Sequence, residues 1–512
     1  MYMSFTPFIP TLPASLSLSY SPMELTGIVQ SLEQKTILVT GAAGFLAKIF
    51  IERVLRVQPN VKRLYLLIRA PDAESAVQRL HKEVIGKEIF RVLREKWVAG
   101  FDSFITEKVT TVAGDITYEN LGIEASDLRE DMWREIDMVV NIAATTNFDD
   151  RYDVSLGVNA MGPKHVLNFA NKCVNLKMLL HVSTAYVVGE QAGLILEKPF
   201  KMGETLNGTP GLDIEQEFKL VDEKLRELQA LGASKTAETF SMKELGLTRA
   251  RHYGWPNTYV YTKAMGEMLL GRSRETLPLV IIRPTIITST YREPFPGWVE
   301  GMRTIDSLGV GYGKGKITCF LGDPESIVDV IPGDMVVNAM IVAMVAHANQ
   351  DGEFIYQVGS SLRNPAKFTL FQDYGYQYFS KHPWIGKDGK PIKVGKVSVF
   401  NTMDSFHKYM AIRYMLPLKV LKLLNVASCQ YFQSTYSNFS RKINFVMRLV
   451  ELYKPYLFFR GVFDDLNLEK LRMAMKDNAS EANMFCFDPK CVDWDDYFLN
   501  IHLPGLIKYV FK

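Results

Sequence analysis

Six short apolar runs alternate, along roughly the first 290 residues of the chain, with segments whose apolar residues recur at helical spacing. The runs are KTILVTG (35–41), KRLYLLIRA (62–70), KVTTVAGDI (108–116), IDMVVNIAA (136–144), MLLHVSTAYV (178–187) and LPLVIIRPTII (277–287). Each is brief and mostly apolar, with β-branched residues frequent, the pattern of a strand buried on both faces. FLAKIFIERVLRV (45–57) sets its apolar positions three and four apart and predicts a helix after the first strand. VNAMGPKHVLNFANKC (158–173) predicts another between the fourth and fifth. The alternation predicts an α/β fold, a Rossmann-type doubly wound parallel sheet that binds its ligand at the C-terminal strand ends.

A charged insertion, roughly 190–250 and helical by pattern, separates the fifth run from the sixth. Its place beside the strand ends suits a lid or docking surface, and a solvated helix pair would carry the same pattern. After residue 370 the alternation stops, and aromatics, Met and Lys become frequent. YMAIRYMLPLKVLKLLNV (409–426) and INFVMRLVELYKPYLFFRGVF (443–463) mix apolar with basic residues. Helices lying on a membrane surface read this way, and so do helices of a small domain packed on the sheet. The expected organisation is an N-terminal extension over 1–34, disordered or targeting, and a dinucleotide-binding domain over 35–370. A connecting segment over 371–424 and a mainly helical C-terminal domain over 425–512 follow.

Composition narrows the partners. The 512 residues are 47% hydrophobic and 22% charged, enough for a large core in two or three domains. A net charge of +3 without a long basic run excludes nucleic-acid binding as the main activity. The five cysteines (Cys173, Cys319, Cys429, Cys486, Cys491) are scattered and odd in number, which argues for a reducing compartment. CFDPKC (486–491) lacks two further ligands at suitable spacing, and the histidines form no HExxH or HxH cluster, so no metal site is expected. No uninterrupted apolar run reaches the ~20 residues of a membrane-spanning helix. The first 23 residues carry no charge. Pro10 and Pro13 interrupt a secretory core, and the arginines of a plastid transit segment are absent. A start at Met23 would lead directly into the first strand.

TGAAGFLA (40–47) follows the first strand and opens the first helix, fitting G-x-x-G-x-x-G/A with Gly41, Gly44 and Ala47. Glycines allow backbone N–H groups close to a pyrophosphate, and the helix N-terminus favours that anion. Thr40, Gly41, Ala43, Gly44, Phe45 and Leu46 are the expected cradle. The second strand ends LLIRA, so Arg69 stands where an acid would hold the ribose 2′-hydroxyl of NAD. A guanidinium suits a 2′-phosphate instead, which makes NADPH the expected cofactor. Asp115 and Ile116 after the third strand can hold the adenine edge. Ala143 and Ala144 after the fourth are small enough for the nicotinamide half to lie close.

NTYVYTKAMGE (257–267) carries two tyrosines and a lysine. On a helix, Tyr259 and Lys263 share a face and Tyr261 points elsewhere. An ammonium beside a phenol lowers its pKa from about 10 and makes it a better acid near neutrality. The fifth strand supplies a second hydroxyl, Ser183 or Thr184. Together these form an oxyanion site with an acid in it, suited to hydride addition to a carbonyl. The order of glycine turn, strand-five hydroxyl and Y-x-x-x-K is the specific signal.

TGAAGFLA, HVSTAYV, WPNTYVYTKAMGE and IIRPTII together resemble the extended short-chain dehydrogenase/reductase family. KIFIERVLRVQPNVKRLYLLIRA, VDVIPGDMVVNA, YQVGSSLRNP, FFRGVFDDLNLEKLR and FDPKCVDWDDYFLNIHLPGLIKYV narrow the resemblance to the plant-type, male-sterility-related fatty acyl-CoA reductases. It runs from about Met23 to the C-terminus. It implies that a long-chain acyl-CoA and two NADPH give a primary alcohol and free CoA through an aldehyde. Carried onto this chain, it makes Tyr259 the acid, Lys263 its partner and Thr184, rather than Ser183, the second hydroxyl, and it adds Pro284 and Thr285 to the cofactor residues. It implies the cytosolic face of the endoplasmic reticulum, with peripheral membrane contact through the C-terminal region, and the plastid as the alternative. The N-terminal extension departs from the family pattern. Reduction that stops at the aldehyde, use of acyl carrier protein, a catalytically silent NADP-binding scaffold and an epimerase or ketone reductase on a small substrate are the competing readings. Acyl-pocket residues are expected from the insertion, from around Asn147 and Phe148, and from EPFPGWVEG (293–301).

Overall fold

The computed structural model describes residues 25 and 27–511 apart from 303, 318 and 387, so the uncharged start of the chain lies outside it. The central sheet has seven parallel strands: β1 (Thr36–Thr40), β2 (Arg63–Ile68), β3 (Val109–Ala113), β4 (Met138–Asn141), β5 (Met178–Val182), β6 (Leu279–Pro284) and β7 (Glu353–Val358). Their order is β3-β2-β1-β4-β5-β6-β7. The chain winds outward from β1 to β3, returns to place β4 beside β1, and winds the other way. That reversal opens a crevice at the C-terminal ends of β1 and β4. Each of the six apolar runs supplies one strand. The seventh escaped the pattern because β7 is an edge strand with Glu353 and Phe354 half-buried and the polar Gln357 buried.

The helices that position the site are α1 (Phe45–Val57), α2 (Gly162–Ala170), α3 (Ile214–Ala230), α4 (Lys235–His252), α5 (Thr258–Ser273), α6 (Gly333–Ala346), α7 (Leu416–Ala427) and α8 (Gln433–Leu457). Alternate strand residues face opposite layers. Ile37 and Val39 of β1 pack with α1 and α6, whereas Leu38 packs with α2 and Leu270 of α5. Two-sided burial is why the inner strands are mostly apolar.

Two expected boundaries change. Residue 25 and residues 27–34, grouped with the N-terminal extension, belong to the body. Leu25, Ile28 and Leu32 are buried, and the N–H groups of Gly27 and Val29 each donate to Glu481 at 3.0 Å. The partner lies more than 450 residues away, which hid the contact from local pattern. The 424/425 boundary falls inside a helical hairpin, α7–α8, whose facing polar groups include Asn425 Nδ2 donating to Gln433 Oε1 at 2.7 Å. The C-terminal region also returns to the sheet domain. Gly461–Phe463 pairs in parallel with Gly193–Ile195, and Tyr497 hydrogen-bonds Thr288 and Ser289.

The insertion is seated on its inner side. Gly246 of α4 packs so closely that a Cβ would lie 2.7 Å from Thr258 Oγ1 and 2.9 Å from Tyr152 Cβ. Buried Glu217 of α3 accepts from Tyr152 Oη at 2.6 Å and from Arg249 Nε at 3.1 Å.

Candidate active site

The turn after β1 requires its first glycine twice over. Gly41 has φ +67°, and a Cβ there would lie 2.7 Å from both Cα and N of Ala143 in the turn after β4. Thr40 ties the same two turns together, donating from Oγ1 to Asn141 Oδ1 at 2.6 Å and accepting from Ala143 N at 3.2 Å. Gly44 is exposed at the N-terminus of α1, and Ala43 is half-buried. Phe45 and Leu46 turn their side chains into the core, Phe45 stacking on Trp298 at 5.1 Å, so what they offer an anion is first-turn N–H groups. Arg69 is exposed directly after β2, and Ala144 is half-buried after Ala143. Asp115 accepts from Thr117 N and Oγ1 at 2.9 Å, which fixes the loop after β3. Ile116 beside it is buried against Gly162, where a Cβ would lie 2.5 Å from Ile116 Cδ1. An exposed glycine turn, a helix N-terminus and a cation at the second strand end fit a dinucleotide.

Across the crevice, Asn257 caps α5 by accepting from Val260 N at 3.2 Å. The first three turns of α5 are buried on all sides, with Tyr259 the half-buried exception. Lys263 is 1% exposed and donates from Nζ to Val182 O, at the end of β5, at 2.7 Å. Burial pulls its ammonium down to about 8, against the attraction of Glu267. Glu267 is itself held by Arg283 of β6, Nε donating at 3.0 Å. Thr184 follows Val182 by two residues; its Oγ1 accepts from Tyr186 N at 3.3 Å and donates to Pro284 O at 3.5 Å. Thr285 bonds inward to Val358 O, N at 3.0 Å and Oγ1 at 3.4 Å. Lys263 and Thr184 are thus anchored to the ends of β5 and β6. Ser183 Oγ is buried with no hydrogen-bond partner. Tyr261 is fully buried, packed among Tyr152, Tyr253 and Trp255, as the helical spacing predicts for a packing residue.

Two groupings went unread in the sequence, although Thr40, Phe148 and Tyr259 within them were singled out there. A buried polar chain runs beneath the crevice: Thr40 to Asn141, then Asn141 Nδ2 to His181 Nδ1 at 3.0 Å. Burial and the nearby Lys263 charge hold the imidazole neutral. Its sequence signal is the single polar residue within each of β4 and β5, Asn141 and His181. The second group is an aromatic wall. Phe148 stacks on Tyr259 at 5.5 Å and on Tyr456 at 5.0 Å, and meets Tyr453 at 5.3 Å. Asn257 Nδ2 donates to Tyr456 Oη at 2.8 Å, so the cap of the Tyr259 helix also holds the C-terminal turn of α8. Tyr186 meets Tyr456, Phe459 and Phe463 edge-on. Burial raises the phenols of Tyr186 and Tyr456, which stay protonated. A cavity of about 380 Å³ lined by Met403, Phe458 and Phe459, among others, adjoins this wall. The loop over 293–301 is anchored on α1 instead, Glu293 pairing with Arg53 and Arg56 and Glu300 with Lys48.

Comparison with known proteins gives this arrangement a family. An NAD-binding model described as male sterility protein matches residues 39–340, and a second model of the same description, Sterile, matches 413–512. The alcohol-forming fatty acyl-CoA reductase of Simmondsia chinensis is 56% identical over 95% of this chain and 99% of its own. Fatty acyl-CoA reductase 1 of Arabidopsis thaliana is 55% identical over 94% and 99%. Among solved structures, the terminal R domain from the myxalamid PKS-NRPS biosynthetic pathway shares the fold, with a TM-score of 0.57 and 17% identity over 98% of this chain and 96% of that one. The cofactor is a nicotinamide dinucleotide, as the NAD-binding model and the glycine turn agree. With relatives at this identity over nearly its whole length, the chain belongs to the fatty acyl-CoA reductase family of male sterility proteins, oxidoreductases of the alcohol-forming type.

Proposed function

We propose that the protein reduces a long-chain fatty acyl-CoA to the primary alcohol and free CoA, using two NADPH and passing through the aldehyde. The observation that carries the reading is the anchoring of Thr184 and Lys263 at the ends of β5 and β6, with Tyr259 one turn from Lys263 and an aromatic wall against it. The names of the relatives support acyl-CoA as substrate. The preference for NADPH rests on exposed Arg69 at the end of β2, where a guanidinium suits a 2′-phosphate.

When bound, the nicotinamide supplies the hydride in each round. Thr184 and Tyr259 hydrogen-bond the carbonyl oxygen, so charge growing there meets fixed donors. The tetrahedral hemithioacetal they hold collapses to aldehyde and CoA thiolate. In the second round Tyr259 gives its proton to the alkoxide. The ammonium of Lys263 stabilises the phenolate left behind, and its bond to Val182 O keeps it in register. Phe148, backed by Tyr453 and Tyr456, covers Tyr259, which favours an apolar chain and excludes water. The reading places the protein on the cytosolic face of the endoplasmic reticulum, in peripheral contact through its C-terminal region, with the plastid as alternative.

The test is gas chromatography of the products formed by full-length protein from long-chain acyl-CoA with NADPH or NADH. Primary alcohol, formed faster with NADPH, is the expected result. Aldehyde as the only product, or no turnover, overturns the alcohol-forming reading, and equal rates overturn the NADPH assignment.

A further inference from the structure

Twelve of the twenty-eight large apolar side chains that the described residues expose lie between Ile412 and Val446, in the α7–α8 hairpin and the helical turn over Ala411–Met415 that leads into it. They are ordered. Ile412, Leu416, Val420 and Leu423 recur at helical spacing and are 72%, 57%, 50% and 70% exposed, while Tyr414, Leu418 and Asn425 occupy the inward side. On α8, Phe439 and Phe445 are exposed as well, and Tyr431 and Phe432 stand at the connection between the helices. The base of the hairpin is fastened by Leu321, Phe406, Met410 and Ile443, so the exposed stripe is not needed to hold it in place.

The charges on the same segment have one sign. Residues 411–446 hold Arg413, Lys419, Lys422, Arg441 and Lys442 and no carboxylate, in a chain whose Lys and Arg are otherwise nearly balanced by Asp and Glu. All five cations are exposed. No described helix is long and apolar enough to cross a membrane. An apolar stripe with basic neighbours and aromatics at its turn has the character of an element that lies in a lipid interface, its apolar face among acyl chains and its cations at anionic headgroups.

We infer that the α7–α8 hairpin is the surface by which this protein docks on an anionic lipid bilayer, and that α8 links that bilayer to the catalytic tyrosine. This rests on the reading above that the protein works at a membrane through its C-terminal region; the hairpin is the specific surface. The link is one helix. The N-terminal half of α8 carries Phe439, Phe445, Arg441 and Lys442, and its last turns carry Tyr453 and Tyr456 against Phe148, which in turn stacks on Tyr259. Its 25 residues span about 37 Å. A long acyl chain partitions into bilayers, so substrate enters and alcohol leaves along this helix.

The test is flotation of full-length protein with phosphatidylcholine vesicles, with and without phosphatidylserine, compared among wild type, Leu416→Ser/Leu423→Ser/Phe445→Ser and Lys419→Gln/Lys422→Gln/Lys442→Gln. Wild type floats, more strongly with phosphatidylserine. The apolar variant loses binding to both vesicle types by about tenfold or more, and the charge variant loses chiefly the phosphatidylserine increment. Each variant's turnover of a short, water-soluble acyl-CoA should match wild type, which controls for folding. Wild type that fails to float overturns the membrane reading itself. Wild type that floats beside an apolar variant that floats equally well overturns this surface and leaves the membrane reading standing. Light scattering that finds a wild-type dimer made monomeric by the apolar variant assigns the stripe to a second copy and overturns the proposal.

Discussion

The strand ends around Tyr259 and the α7–α8 hairpin treat similar residues in opposite ways. At the strand ends, apolar residues are sealed and nearly every polar group is held: Thr40 by Asn141, Lys263 by Val182 O, Glu267 by Arg283. On the hairpin, leucines and phenylalanines stand exposed beside lysines without contributing to a core. The first region preorganises donors for a transition state, which requires fixed geometry in a dry place. The second keeps apolar area open, which in a globular protein is the mark of a surface reserved for a partner. The aromatic wall joins the two regions, because its tyrosines come from α8 and its Phe148 from the loop after β4.

The largest break in this contrast should come from Tyr259→Phe. Removing the proton donor lowers alcohol formation by roughly 10²–10⁴-fold, while nicotinamide fluorescence on titration with NADPH still reports binding; full activity would remove Tyr259 from the acid role. Leucines measure the contrast directly. Leu180→Ala in β5 opens a hole in a sealed layer and costs about 2–5 kcal/mol in denaturant unfolding, whereas Leu423→Ala on the hairpin changes stability by less than about 0.5 kcal/mol. Comparable losses at the two sites would mean that the hairpin stripe is core after all.

Arg69→Glu tests the cofactor assignment. It should weaken NADPH about tenfold or more relative to NADH, since one factor of ten is only about 1.4 kcal/mol, and an unchanged ratio of kcat/KM values would detach Arg69 from the 2′-phosphate. The smallest effect is in pH. Lys263 is held at about 8 by burial, below its ordinary value. It is therefore charged at neutral pH and loses its proton as pH rises through about 8, so the proton-donating step should slow above that point. Stability moves the other way. Above about 8 and up to the ordinary lysine value, the unfolded chain binds more protons than the folded one, and folding gains with rising pH. Lys263→Met should flatten both profiles, and a wild-type rate level through this range would contradict the role of the charge.

Features that depend on neighbours along the chain are legible in the sequence. Periodicity located six strands and α1, because burial of a strand on two faces or of a helix on one writes a pattern within a dozen residues. Spacing separated Tyr259 from Tyr261, and the positive φ at Gly41 was implicit in the glycine of the turn. Contacts across long stretches of chain were not. Phe148 meets Tyr456 from 308 residues away in number, Gly27 meets Glu481, and Asn141 meets His181. No local period records such pairings, since each side reads only as an aromatic, a carboxylate or an amide in ordinary surroundings.

By itself, the sequence determined the Rossmann-type order, the glycine turn and the Y-x-x-x-K face, because each follows from backbone freedom or side-chain repeat over a few residues. Only the tertiary structure decided which apolar stripe is core and which is open. Leu418 and Leu423 belong to the same amphipathic run, yet one packs inward and the other is 70% exposed. Local pattern fixes which residues of a helix share a face; what that face meets depends on the rest of the fold, and burial is a property of the assembled molecule.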